Sequence, residues 1–116
     1  MPLHDDGYVK YTSLWTKTAL LKEDFEELVV YRNKLAALNL IGVYPDAIGY
    51  GNISQRINQT TQFIISGTQT GQYKIAQTEH FCKVTHVNIP ENKLLCEGPV
   101  QASSEAMTHA AIYLAD

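Results

Sequence analysis

The sequence predicts an α+β domain, a mostly antiparallel sheet flanked by helices in a three-layer α/β/α arrangement. Three observations carry the prediction: a helical apolar repeat near the start, short alternating segments with turn residues between them in the middle, and a second helical repeat at the end.

The segments follow in order. Residues up to about Thr18 show no clear periodicity and are expected on the surface. Phe25, Leu28, Val29, Leu35 and Leu38 then recur at helical spacing. Glu23, Asp24, Glu26 and Glu27 load the start of that helix with negative charge, which suits the positive end of its dipole. Gly42 and Pro45 are its expected stop signals. Gly49-Tyr50-Gly51-Asn52 is a glycine-rich turn leading into a strand at 53–57. Asn58-Gln59 can reverse the chain into a return strand at 62–66. Residues 80–89 alternate, with Phe81, Lys83, Thr85 and Val87 on one face and Cys82, Val84 and His86 on the other. Pro90-Glu91-Asn92 signals a turn, and Lys93 to Glu97 reads as the paired strand. After Gly98-Pro99, Ser103-Ser104-Glu105 opens a helix with Met107, Ala110, Ala111 and Leu114 on one stripe. That helix is still running at Asp116, so the chain is expected to stop before the fold is complete.

Composition narrows the classes. With 45% hydrophobic and 18% charged residues over 116 positions, the chain has the composition of one globular domain. A net charge of −3 without basic runs argues against nucleic acid as a partner. No apolar run reaches the length of a membrane span, and the first residues lack a basic, then apolar, leader, so a cytoplasmic protein is expected. Two cysteines, Cys82 and Cys96, make no disulfide framework and are expected as free thiols.

Three polar clusters stand where strands give way to loops or a helix: Gly51-Asn52-Ile53-Ser54, Ser66-Gly67-Thr68-Gln69-Thr70-Gly71 and Ser103-Ser104-Glu105. A helix start leaves N–H groups unpaired and positively biased, so serines there can cap them or help them hold an anion. Thr68 and Thr70 add hydroxyls on a glycine-flanked loop, and Asn52 adds an amide. Taken singly, each cluster is more often a cap or a turn than a site.

Together and in this order the clusters resemble the class II aldolase/adducin family, from about the first helix to the chain end. The Glu105-x-x-x-His109-x-x-x-Tyr113 spacing matches that family's helix as well. The resemblance implies that Gly51, Asn52, Thr68 or Thr70, Ser103 and Ser104 bind a substrate phosphate. It further implies that Glu105 moves a proton in metal-dependent cleavage of a small sugar phosphate or related hydroxy-ketone. The family's divalent metal, zinc foremost, is held by a His-x-His pair and a further histidine, and this pattern is missing from His4, His80, His86 and His109. The matching positions would lie beyond Asp116, so no cofactor is expected in this chain and the phosphate-binding half is expected without the metal-binding half. His109 is expected to pack rather than ligate. His80 and His86 suit a strand surface. The resemblance also implies a homo-oligomer, tetrameric in the family. A non-catalytic adducin-like module and a plain anion-binding domain are the competing expectations.

Overall fold

The computed structural model describes residues 11–21, 23 and 25–115. His4 and the other residues of the start on which the leader expectation rests, Asp24 of the acidic run, and Asp116 lie outside the described residues. The chain runs β1 (Thr12–Lys17), α1 (Glu26–Ala37), β2 (Gly42–Val43), β3 (Gly49–Tyr50), β4 (Ser54–Arg56), β5 (Phe63–Ser66), β6 (Phe81–Asn88), β7 (Lys93–Gly98) and α2 (Ala106–Ala115). One five-stranded sheet has the order β1-β7-β6-β5-β4, and β2 and β3 form a separate ribbon. All pairings in the larger sheet are antiparallel except β1 on β7. The chain is thus α+β with a mostly antiparallel sheet, as predicted.

β5 organises the packing. Its four residues are all buried, and alternation sends neighbours to opposite faces. Ile64 joins Phe25, Leu28, Ala76 and Phe81 in one apolar cluster. Phe63 and Ile65 join a second cluster with Cys82, Val84, Leu94, Cys96, Ala106 and Ala110. The first cluster receives Leu28 from α1, the second Ala106 and Ala110 from α2. Truncating a ring such as Phe63 to alanine would cost about 3–5 kcal/mol. Both cysteines are buried and free.

Four details differ from the sequence-based expectations. Residues 12–17 form an edge strand, pairing from Thr12 with Lys93 to Lys17 with Gly98. An edge strand needs no clean alternation, and only Tyr11 beside it is buried. Second, α1 ends before Gly42. Asn39 takes a left-handed φ of 62°, its N–H donates to the Ala36 carbonyl (3.0 Å), and Leu40 N–H donates to the Leu35 carbonyl (2.9 Å). This pair of bonds is a Schellman stop with asparagine in the position glycine usually takes. The inward face of α1 is Leu28 and Arg32, while Leu38 is exposed.

Third, the register slips between Val84 and His86, so Thr85 is an extra residue opposite β7. The slip carries Val87 to the face of Cys82 and Val84, not that of Phe81. Fourth, the stripe of α2 is Ala106 and Ala110 with Met107 and Tyr113 beside them; Ala111 and Leu114 face outward. Tyr113 rests on Phe63 with ring centres 5.1 Å apart, which turns the helix that way. Among the described residues, no helix is long and apolar enough to cross a membrane.

Candidate functional site

The three polar clusters meet. Gly51, Asn52, Thr68, Thr70, Ser103, Ser104 and Glu105 all line one small pocket of about 60 Å³, although up to 54 positions separate them. The sheet brings this about. Gly67 stands opposite Ala102 as an antiparallel bridge. Thr68 N–H donates to the Gln101 carbonyl (2.8 Å) and Ser103 N–H to the Ser66 carbonyl (3.0 Å). The end of β5 and the entry to α2 therefore run side by side. Ser66 ties in the third cluster: its hydroxyl accepts from Ile53 N–H (3.0 Å), and its own N–H donates to the Ile53 carbonyl (3.0 Å).

Each polar group has a distinct situation. Ser103 Oγ accepts from Glu105 N–H (3.1 Å) in the turn that leads into α2, while the Ser103 carbonyl accepts from Tyr11 Oη (2.9 Å). Ser104 is buried at the same helix entry. Glu105 is half-buried, and its Oε2 accepts from the Thr108 hydroxyl (3.3 Å). Gly51 has φ +77°, and a Cβ there would stand 2.1 Å from the Leu40 carbonyl oxygen, so only glycine fits.

The two threonines, equivalent in sequence, separate here. Thr70 is buried and its hydroxyl donates to the Gly67 carbonyl (2.8 Å), closing the loop on itself. Thr68 Oγ1 is buried without a hydrogen-bond partner. A buried hydroxyl without a partner costs free energy that a ligand can recover.

Asn52 belongs to a network of side chains. His109 Nε2 lies 2.5 Å from Asn52 Oδ1, His109 Nδ1 lies 2.6 Å from Ser54 Oγ, and Ser54 Oγ lies 2.6 Å from Tyr113 Oη. Burial pushes His109 below the ordinary imidazole pKa, with Glu105 opposing. Arg56 closes the network by donating to the Tyr113 carbonyl (2.7 Å) and stacking on its ring.

Sequence reasoning did not single out Ser54, Tyr113 or Arg32 as parts of the site. For the first two the signal was present: Ser54 ends the Gly51-Asn52-Ile53-Ser54 cluster, and four-residue spacing aligns Tyr113 with His109 and with Glu105 just before α2. Arg32, only 1% exposed, donates to the Thr70 carbonyl (3.0 Å) and the Lys74 carbonyl (3.4 Å), so it anchors the 67–76 loop onto α1. An arginine continuing the Leu28 face was its only trace. His80 does not lie on a strand surface as expected: it closes a 3-10 turn at Thr78–His80 just before β6, its carbonyl accepts from Gly67 N–H (2.8 Å) and its ring stacks on Tyr73.

The pocket lining contains no lysine or arginine among the described residues. Its hydroxyls, amide and main-chain N–H groups can donate to a small anion. Metal is another matter. Among the described residues, no three His, Cys, Asp or Glu side chains come together as ligands, and both ring nitrogens of His109 are engaged. The described residues do not fit a zinc centre. No protein-family model, curated protein or solved structure matches the chain.

Proposed function

We propose that this chain is the anion-binding part of a class II aldolase/adducin-type domain and takes the phosphate of a small sugar phosphate, or a related anion, in this pocket. One observation carries the proposal: residues drawn from three separate motifs line a single cavity of donors. The hydroxyls of Thr68, Ser103 and Ser104, the Asn52 amide and the main-chain N–H groups entering α2 are the proposed contacts. Thr68 is preferred to Thr70 because its hydroxyl is the one without a partner. The three-layer arrangement is part of the proposal, supported by the two helices feeding clusters on opposite faces of β5. Cytoplasmic location and homo-oligomeric assembly belong to it too.

Glu105 is the proposed proton-moving group of a carbon–carbon lyase. It sits at the pocket rim, one residue from Ser104. In enzymes of that family a divalent metal would polarise the substrate carbonyl; the described residues supply no ligand set, so no step of cleavage is assigned to this chain. A non-catalytic, adducin-like module is the second proposal, favoured by His109 being fully engaged in hydrogen bonds.

Titration with inorganic phosphate, followed by amide chemical shifts, tests the pocket. Amides 51–54, 66–71 and 103–106 are expected to move together, with millimolar affinity, about 4 kcal/mol. Ser104→Ala and Asn52→Ala are expected to weaken binding. Shifts confined to one cluster, or spread evenly over the surface, would overturn the proposal.

A further inference from the structure

We infer that His109 is a positioning residue: as the neutral Nε2–H tautomer it holds the Asn52 side chain with its amide NH2 presented to the pocket. The inference rests on the pocket being an anion site, and deepens it by saying what makes the Asn52 wall a donor.

The hydrogen-bond chain has two consistent directions. In one, Tyr113 Oη donates to Ser54 Oγ, Ser54 donates to His109 Nδ1, and His109 Nε2–H donates to Asn52 Oδ1. In the other every arrow reverses: Asn52 Nδ2 donates to Nε2, Nδ1–H donates to Ser54, and Ser54 donates to Tyr113. The two place opposite ends of the amide toward the pocket. The first leaves NH2 available to an anion; the second leaves a carbonyl oxygen that repels one.

Tyr113 decides the direction. A phenol is a stronger donor and a weaker acceptor than a serine hydroxyl, and Ser54 is the hydrogen-bond partner of Tyr113 Oη. The reversed chain would leave the phenolic proton unpaired in a partly buried place, whereas the forward chain leaves only a weak acceptor unused. Ser54 Oγ could accept from both Tyr113 and a protonated Nδ1, but its own single proton would then have no partner; with Tyr113 donating, that proton is paired only by going to Nδ1. The ring then carries its own proton on Nε2. Burial of the ring also disfavours the imidazolium, although Glu105, just before α2, opposes that effect.

Long-range nitrogen-15 spectra of the histidine rings in the whole chain at neutral pH read the tautomer directly, with no ligand present. The expected result for His109 is a bare, pyridine-type Nδ1 and a protonated, pyrrole-type Nε2. A protonated Nδ1 with bare Nε2, or an imidazolium pattern, would overturn the inference.

Inorganic phosphate titrations of variants supply the second arm. His109→Leu removes the donor and is expected to weaken phosphate binding about tenfold, one hydrogen bond's worth. His109→Gln places an amide donor where Nε2 stood and is expected to stay within about threefold of the parent. Parent-like binding by a folded His109→Leu, or a His109→Gln as weak as the leucine variant, would overturn the positioning role. If the parent chain binds no phosphate at all, the proposed function fails while the ring spectrum still decides the orientation of Asn52.

Discussion

The wall of the pocket that carries Thr68 and Thr70 hangs largely on main-chain bonds, whereas the wall that carries Asn52 hangs on side chains. Gly67 and Thr68 are held by their N–H groups to the His80 and Gln101 carbonyls, and Arg32 grips the Thr70 carbonyl from below. Asn52 is oriented by His109, Ser54 and Tyr113. A main-chain wall keeps its shape through most side-chain changes, because the bonding groups are common to every residue. A side-chain wall can be altered by one hydroxyl or one proton. The pocket therefore joins a fixed half to a tunable half.

The largest expected effect tests whether the fixed half depends on its one side-chain anchor. Arg32→Met keeps length and apolar volume but removes the donors to the Thr70 and Lys74 carbonyls. Bonds from a charged donor are worth about 1.5–3 kcal/mol each, and relief from burying the charge returns part of that. A loss of about 2–4 kcal/mol in denaturant unfolding is expected, with amide shifts concentrated at 67–76. Parent-like stability would mean that the main-chain bonds hold this wall alone.

Next comes the point where the tunable half depends on backbone. Gly51→Ala puts a Cβ against the Leu40 carbonyl at a positive φ. A loss of about 2 kcal/mol or more is expected from strain and overlap together. A smaller loss, measured in the same way, would mean the turn before Asn52 can yield.

The threonines sharpen the comparison at about 1 kcal/mol. Thr70→Val loses the bond to the Gly67 carbonyl and should cost about that much stability. Thr68→Val removes a hydroxyl that has no partner, so stability should hold or rise slightly while phosphate binding weakens. Equal behaviour of the two variants in unfolding and in phosphate titration would erase the distinction.

What could be read in the sequence follows the same division. β6 and β7 were legible because alternation and the turn at 90–92 are local, and β4 and β5 because Asn58 reverses the chain with φ 53°. The polar clusters were legible because glycine and hydroxyl residues bunch at strand ends. β1 was not, since its partner lies some eighty residues away and an edge strand carries little pattern. The slip at Thr85, which re-aims Val87, depends on register with β7 and leaves no local mark. His109 could be placed on the face of Glu105 by spacing alone. That its two nitrogens join Asn52 to Ser54 required the sheet and α2 to be packed together.

The smallest expected effect concerns protons, and it tests the tunable half at its most sensitive atom. Burial lowers the pKa of His109, with Glu105 opposing. His80, beside the fixed wall, is also lowered, first by burial, with Arg32 adding to the effect and Glu79 opposing it. In the unfolded chain both rings take up a proton near the ordinary value of about 6.5. Between that value and the lower folded pKa, the unfolded state binds more protons than the folded one. Stability must then rise with pH across this window. It is fully present above about 6.5 and declines as pH falls through the folded pKa. His109→Gln removes one of the two contributors while keeping a donor to Asn52. Its unfolding midpoint should therefore depend less steeply on pH below 6.5 than that of the parent. An unchanged slope would show that His109 bears a proton as readily folded as unfolded, and the neutral relay to Asn52 would lose its electrostatic support.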